Sequence, residues 1–282
     1  MKEITNEGLQ KFKEYLQNEE KSPSTLDKYI RDIRMFMMWC DGREINKGLV
    51  LEYKKLLIEH YAPASVNSVI SSLNSYFVYN EWYDLKVKAL KIQKQIFVNT
   101  DKELTKLEYD KLLIAARDRK NERLYYLMQT ICSSGIRVSE LKYITVESLR
   151  ERQATIKCKG KMRIVILPKE LCKMLLSYAK KNKISGGPVF ITKNGKAIVR
   201  SSIWKMMKAL CDSAGVKKEK VYPHNLRHLF ARTYYTIQKD IVRLADILGH
   251  SSINTTRIYT IETGDIHRKQ IQQLGLLQFN AI

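Results

Sequence analysis

Apolar residues recur at the spacing of an α-helix along most of the chain, and this pattern restricts the possible fold more than any other feature. In residues 4–18 the apolar positions are Ile4, Leu9, Phe12 and Leu16. Further helices are predicted from the same spacing up to Trp39, from Asn46 to His60, and from Pro63 onward. Proline in a first turn and a neighbouring serine or threonine favour helix starts in KSPSTLDKY and YAPASVNSV. Four helices with short connections predict a small helical domain.

The second part of the chain is predicted to be mostly helical with one β-hairpin. RLYYLMQTICSSG is apolar on nearly all sides and predicts a buried helix. ATIKCKGKMRIVILP alternates apolar and polar residues around Lys159-Gly160-Lys161, which is typical of a hairpin. Helices follow over 224–237 and 239–248. The expected fold class is mainly α (α+β), with a four-helix domain followed by a mostly helical domain that holds a small antiparallel sheet.

A lysine-rich segment separates the two parts. KVKALKIQK, residues 86–94, alternates lysine with apolar residues and is interpreted as a linker. The boundary is expected between residues 92 and 101, which gives domains of 1–98 and 99–282.

Positive charge is concentrated in the second part. The formal net charge is +21. Residues 1–98 carry 15 Lys or Arg against 13 Asp or Glu, which leaves 35 against 16 in the remainder. This asymmetry favours a polyanionic partner, either nucleic acid or an anionic membrane surface, that is bound mainly by the second domain.

The cysteines and the hydropathy indicate the compartment. The five cysteines are odd in number, scattered and without a C-x-x-C pair, which argues against a disulfide framework or a zinc site. The sequence contains no stretch of about 18 to 20 apolar residues and no signal-peptide pattern at its start. A soluble cytoplasmic protein that does not bind membranes is expected.

Five polar residues stand out by their order along the chain. Arg137 lies in SSGIRVSEL, His224 and Arg227 in PHNLRH, and His250 and Tyr259 in LGHSSINTTRIY. A phenol with two guanidiniums and two imidazoles suits attack on a phosphodiester, because the phenol is a nucleophile and planar guanidiniums bind phosphate oxygens. Ionising a tyrosine at pH 7 costs roughly 4 kcal/mol, so a proton acceptor and a positive field are needed.

The same ordered set resembles the tyrosine recombinase (phage integrase) family, in particular its compact XerC/XerD-like members. The resemblance implies a core-binding domain and a catalytic domain that clamp duplex DNA. It implies that Arg137 and Arg227 grip the scissile phosphate. His224 would act as general base or phosphate donor, His250 would donate to a non-bridging oxygen, and Tyr259 would be the nucleophile.

The hairpin lysine is the predicted general acid. Lys159 resembles the family's hairpin lysine in a KG-x-K-x-R pattern, but the loop is one residue shorter than the commoner form. Lys161, and after it Arg163, are therefore kept as alternatives. Glu140 is interpreted as a residue that orients Arg137 or neighbouring backbone, and His228 as a structural residue that points elsewhere on its helix.

Predicted DNA contacts come from the family's N-terminal turns, the linker and the hairpin. They are Ser22, Ser24, Thr25, Tyr29, Ser65, Asn67, Lys86, Lys88, Lys161 and Arg163.

The predicted function is site-specific DNA recombination through a 3′-phosphotyrosyl intermediate and a Holliday junction, carried out by a homotetramer on two duplexes. No metal or other cofactor is expected, because neither a carboxylate cluster nor a G-x-x-x-x-G-K-[ST] loop is present. A type IB topoisomerase and a non-catalytic DNA-binding regulator of the same fold are the alternatives. The target DNA, and the choice among integration, dimer resolution and transposon resolution, are left open.

Overall fold

The structure is a computed structural model that describes residues 2–92, 100–158, 161–192, 194–259, 271–274 and 276. The chain divides into two compact units, Met1–Lys94 and Gln95–Ile282. The domain limits 1–98 and 99–282 remain a prediction, since most of the segment that joins the units lies outside the described residues. Among the described residues no helix combines the length and the apolar character needed to cross a bilayer.

The described residues of the first unit form four α-helices, as predicted. They are α1 Asn6–Asn18, α2 Pro23–Cys40, α3 Lys47–His60 and α4 Pro63–Tyr79. Proline occupies the first turn of α2 and of α4, where its missing N–H leaves no hydrogen bond unmade. The apolar face of each helix packs into one core around Phe12, Phe36 and Phe77.

The lysine-rich segment after α4 is attached to the first unit at least as far as Leu90. The side-chain amide of Asn74 pairs with both backbone groups of Val87, at 2.8 and 3.0 Å. Asn67 pairs in the same way with Leu90, at 2.9 and 2.7 Å. These pairings imitate a β-ladder, so this part of the predicted linker runs along α4.

The second unit is mostly helical. Its helices are α5 Lys106–Asp118, α6 Glu122–Ser134, α7 Val146–Glu151, α8 Lys169–Lys181, α9 Arg200–Ala214, α10 Pro223–Gln238, α11 Ile241–Leu248 and α12 Ile253–Thr256. Helix α6 is the predicted buried helix, and it contacts α5, α8, α9 and α10. Helix α8 has no counterpart in the sequence prediction, although Leu171, Leu175 and Tyr178 are buried at helical spacing.

The predicted hairpin is present as a two-stranded antiparallel sheet. Strand β1, Gln153–Cys158, pairs with β2, Lys161–Ile166, from Gln153↔Ile166 to Cys158↔Lys161. Side chains alternate across a strand, so Val165 faces the core while Ile164 and Ile166 face solvent. The mainly helical fold with a small sheet confirms the predicted fold class.

Candidate active site

Arg227 of α10 lies at the centre of the candidate site. Its side chain is 1% exposed, and its guanidinium donates to the carbonyl oxygens of Gly135 and of Leu248, the latter at 2.7 Å. Its Nη2 lies 3.0 Å from Nε2 of His250. Burial, and then the charge of Arg137, lower the pKa of Arg227 to about 10, so the guanidinium is still charged at pH 7. One cation therefore joins the ends of α6 and α11 to α10.

Arg137 is brought to the same place by the end of α6. Gly135 ends this helix in a left-handed conformation, φ +64°, and a Cβ there would lie 2.5 Å from Cδ1 of Phe230. Only glycine fits such a position without strain. Arg137 follows two residues later, donates to Glu140 at 3.0 Å and to the Gly249 carbonyl at 3.3 Å, and keeps 36% of its side chain exposed.

A cleft of about 270 Å³ lies beside these two arginines. Arg137, His224 and Arg227 line it together with Arg200 and Trp204 of α9. Three guanidiniums and an imidazole around one concave space give a site for an anion, because planar forks can bind two phosphate oxygens at once.

His224 lies in the first turn of α10, directly after Pro223. Its partial burial lowers its pKa, and the charges of Arg227, Arg137 and Arg200 lower it further. The imidazole is therefore neutral at pH 7 and able to accept a proton.

His250 follows Gly249 at the end of α11. Arg227 can only donate, so Nε2 of His250 accepts its hydrogen bond, and the proton of the neutral ring is on Nδ1, 2.8 Å from Oγ1 of Thr256. Burial and then the charges of Arg227 and Arg137 lower the pKa of His250 to about 4. His250 is thus a neutral acceptor at pH 7.

Tyr259 ends a short 3₁₀ turn, Arg257–Tyr259, and is 5% exposed. Its ring stacks on His250 with centroids 6.2 Å apart and packs against Ala231, Leu244 and Leu248. Burial raises the pKa of the phenol, while the charge of Arg227 and a hydrogen bond from it act in the opposite direction. The structure therefore brings all five ordered residues of the sequence together in one chain.

Comparison with known proteins agrees with this geometry. The model of the phage integrase family matches residues 102–264. The model of the phage integrase N-terminal SAM-like domain matches residues 9–85. The chain belongs to the phage integrase family. It is a site-specific DNA recombinase of the tyrosine type, which sets aside the topoisomerase and regulator alternatives.

Relatives of this recombinase extend over nearly its whole length. Tyrosine recombinase XerA of Thermococcus onnurineus (strain NA1) is 29% identical over 285 residues, which covers 98% of each chain. Tyrosine recombinase XerD of Halalkalibacterium halodurans is 27% identical over 285 residues, covering 92% of this chain and 94% of the relative.

Solved structures share the fold of the recombinase. A crystal structure of XerA recombinase has 28% identity and a TM-score of 0.52, covering 98% of this chain and 100% of that one. XerH bound to difH substrate in a pre-cleavage complex has 21% identity and a TM-score of 0.70, covering 92% and 82%. A lambda integrase dimer bound to a COC′ core site has 17% identity and a TM-score of 0.72, covering 90% and 94%.

His228 of the recombinase lies inside the site, so the prediction that it points elsewhere is wrong. Its ring centroid is 4.6 Å from that of His224 and 5.0 Å from that of Tyr259, edge to face with the phenol. Burial and then the charges of His224 and Arg227 lower the pKa of His228 to about 4. Its spacing of four residues from His224 on one helix is the signal that could have indicated this position.

The structure tests the predictions for only some of the hairpin residues. Lys159 lies outside the described residues, and the side chain of Lys161 is not described, so the choice between them remains a prediction. Arg163, predicted as a DNA contact and a fallback acid, faces inward instead: its guanidinium is 2.6 Å from Glu140 and 2.9 Å from the Ile247 carbonyl. Glu140 contacts Arg137, as predicted.

The predicted DNA contacts of the first unit fall into two groups. Ser24, Ser65, Lys86 and Lys88 are exposed. Ser22 and Thr25 share a hydroxyl contact of 2.8 Å, Tyr29 packs on the core, and Asn67 is engaged by the backbone of Leu90. The exposed group stays a prediction for DNA binding, whereas Asn67 has a structural partner that the sequence did not reveal.

Proposed function

We propose that Tyr259 is the nucleophile of this recombinase and that the scissile phosphate occupies the cleft beside Arg137 and Arg227. The observation that carries the proposal is the contact set of Arg227, a buried cation that touches His250 and lies next to Tyr259 in the same chain. A buried guanidinium fixed by two backbone carbonyls is preorganised, so Arg227 can supply positive charge beside the phosphate without moving itself.

The proposed step is an in-line displacement. Oη of Tyr259 bonds to phosphorus and the bond from phosphorus to the 5′ oxygen breaks, which leaves a 3′-phosphotyrosine and a 5′-hydroxyl. His224 takes the phenol proton, because it is the neutral imidazole that lines the cleft. Lys159, or Lys161, gives a proton to the leaving oxygen. Attack by another strand's 5′-hydroxyl reverses the step. A first pair of such exchanges forms a Holliday junction, and a second pair resolves it.

Two rearrangements precede this chemistry. His250 accepts from Arg227 through Nε2, so to donate from this atom to a phosphate oxygen it must take up a proton and give up that hydrogen bond. The phosphate supplies the negative charge that favours this protonation. Tyr259 is buried among His250, His228 and apolar side chains, so the short turn that carries it must move toward the cleft.

The phosphotyrosyl link can be tested with a nicked DNA duplex that carries the recombination site. Loss of the short strand beyond the nick traps the covalent adduct, which a denaturing gel resolves. Tyr259→Phe is expected to remove the adduct and to leave DNA affinity within about twofold, because only the nucleophilic oxygen is lost.

Tyr235→Phe, on the same α10 that carries Arg227, is the matched control and should keep the adduct. An adduct that persists in Tyr259→Phe but maps to another residue would overturn the assignment.

We also propose that the working assembly is a homotetramer on two duplexes and that it acts in the cytoplasm. The exposed apolar side chains of Ile271, Leu274 and Leu276 support contacts between protomers. An apolar groove of about 510 Å³ in the catalytic unit, lined in part by Leu171 and Phe230, offers a receiving surface. The free thiols of Cys40, Cys132, Cys172 and Cys211 fit a reducing compartment.

A further inference from the structure

Arg163 is a charged residue on the core-facing side of the hairpin. It pairs with Ile156 in the β1–β2 register, and both Ile156 and the next inward residue of β2, Val165, are buried. The side chain of Arg163 is 15% exposed. Arginine is rarely buried unless it is paired, and a strand does not need one at an inward position. The contacts of Arg163 should therefore explain why it is there.

The guanidinium of Arg163 reaches the end of α11. Its Nη1 donates to the Ile247 carbonyl at 2.9 Å. Its Cδ lies 2.2 Å from the position that a Cβ on Gly249 would occupy, so the aliphatic part of Arg163 runs across the Gly249 backbone. Gly249 immediately precedes His250. Arg163 thus packs directly against the turn that presents this histidine.

The other end of the same guanidinium meets Glu140. Its Nη2 donates to Oε2 of Glu140 at 2.6 Å, and the carboxylate is 6% exposed. Glu140 also accepts from Arg137, through Oε2 from the backbone N–H at 2.9 Å and through Oε1 from Nη1 at 3.0 Å. Arg137 in turn donates to the Gly249 carbonyl. Arg163, Glu140, Arg137 and Gly249 therefore form a closed ring of contacts.

The charges of this ring explain why Arg163 is needed. Burial alone would raise the pKa of Glu140, but hydrogen bonds from Arg163 and then from Arg137 outweigh it and hold this pKa below its usual value. Two cations share one carboxylate, so Glu140 restrains Arg137 without neutralising the site. Both terminal nitrogens of Arg163 are engaged inside the protein, and an arginine stays protonated, which makes it unsuitable as a general acid.

We propose that Arg163 is a positioning residue for phosphate binding: through Glu140 and the turn at Gly249, it fixes Arg137 and His250 at the separation that one phosphate group requires. The proposal rests on the proposed function, in which these two residues bind the scissile phosphate. It also ties the strand that follows the hairpin tip to the same site.

The test compares single-turnover cleavage by the full chain on three versions of the scissile linkage. Cleavage of the ordinary phosphodiester depends both on the placement of Arg137 and on the general acid. A methylphosphonate carries no charge, so it depends less on the placement of Arg137. A 5′-bridging phosphorothiolate has a better leaving group, so it depends less on the general acid. Arg163→Met is expected to slow cleavage about 100-fold on the first linkage, since small misplacements of binding groups cost this much.

The pattern across the linkages identifies the role. For Arg163→Met we expect the same loss, about 100-fold, on the phosphorothiolate and a loss below about tenfold on the methylphosphonate. Equal loss on all three linkages would mean a general structural role and would overturn the proposal. Recovery on the phosphorothiolate would mean that Arg163 acts by positioning the general acid, and it would overturn the proposal. A loss under about threefold on the ordinary linkage would also overturn it.

Further variants keep the test decisive. Arg163→Lys, which retains charge and can keep one of the two contacts, should show the same pattern with a smaller loss, and it serves if Arg163→Met does not fold. Adding Arg163→Met to Glu140→Gln should cost less than about threefold beyond Glu140→Gln alone, because residues that act through one another are not additive.

An additional loss of about 100-fold in the double variant would show that Arg163 does not act through Glu140. Wild-type adduct formation and its loss in Tyr259→Phe are measured in parallel. Failure of those controls would count against the proposed function, whereas failure of the Arg163 variants alone would count only against this inference.

Discussion

The histidines of the site show how single side chains are set by their surroundings. His228 and His250 both have pKa values lowered from the ordinary value of 6.5 to about 4, in each case first by burial and then by neighbouring charges. Each ring is therefore neutral in the folded chain at pH 7. With His250 neutral, the positive charge that acts on Tyr259 comes first from Arg227 and then from Arg137.

These lowered pKa values predict how stability depends on pH. Between pH 6.5 and about 4 the unfolded chain binds protons at His228 and His250 that the folded chain does not, so stability is present above pH 6.5 and is lost as the pH falls through this window. Replacing His228 by Asn should make the unfolding free energy fall less steeply with decreasing pH, by the contribution of up to about one bound proton. Urea unfolding midpoints at pH 7, 6 and 5 measure this difference.

The exposed His60 of α3 provides the control, since His60→Asn should leave the pH dependence as in the wild type. A His228→Asn variant whose midpoint falls with pH as steeply as the wild type would contradict the prediction.

Helix ends, rather than helix middles, carry most of the site. Helix α6 ends at Gly135 just before Arg137, and α11 ends at Gly249 just before His250. Helix ends leave carbonyl oxygens without partners inside the helix. Arg227 and Arg163 donate to the Gly135, Leu248 and Ile247 carbonyls, so the groups that complete these helices also hold the site together.

Gly249 allows a prediction at this scale. Gly249→Ala adds a Cβ at φ +62° that would lie 2.2 Å from Arg163, so it combines backbone strain with displacement of this arginine. We expect a stability loss of about 1 to 3 kcal/mol, measured by chemical unfolding, and slower DNA cleavage.

The matched control is Gly215→Ala at the end of α9, with φ +60° and no atom within 4 Å of the added Cβ. Gly215→Ala should lose about 1 kcal/mol through strain alone and keep its cleavage rate. Equal cleavage rates in the two alanine variants would contradict the role given to the Gly249 turn.

At the scale of the whole molecule, the two units differ in charge as well as in structure. Each has its own apolar core, and the excess of basic residues lies almost entirely after residue 98. The second unit also carries the candidate site and the exposed apolar residues near the end of the chain. The second unit therefore combines the proposed phosphate binding, the proposed chemistry and the proposed contacts between protomers.

The charge asymmetry predicts where the salt dependence of DNA binding originates. A fragment of residues 99–282 should lose affinity steeply with salt, with log K falling by about 5 or more per tenfold rise in KCl. A fragment of residues 1–98 should show a slope nearer to 1. Fluorescence anisotropy on a labelled duplex from 50 to 300 mM KCl would test this, and a steep slope for the first fragment would contradict it.

A charged substitution at Leu274 tests whether contacts between protomers are needed for recombination. Leu274→Glu places a charge among the exposed apolar residues near the chain end, so it should reduce two-site recombination at least about tenfold, as for a lost contact of about 1.4 kcal/mol. Adduct formation on a single nicked site should be kept. The neighbouring exposed Gln273→Glu adds the same charge and is expected to recombine normally. An equal loss of recombination in Leu274→Glu and Gln273→Glu would mean that the added charge, and not the lost apolar contact, is responsible.

The sequence by itself determined most of the helices, the hairpin and the ordered set of arginine, histidine and tyrosine, but not helix α8. Periodicity, capping residues and turn signals act between residues that are close in the chain, so they can be recognised without tertiary structure. Only the tertiary structure decided that Arg163 turns inward onto Glu140, that His228 meets Tyr259, and that Asn67 pairs with Leu90. Such partners lie tens of residues apart, and which of them meet depends on how the helices pack and which polar groups burial forces to pair.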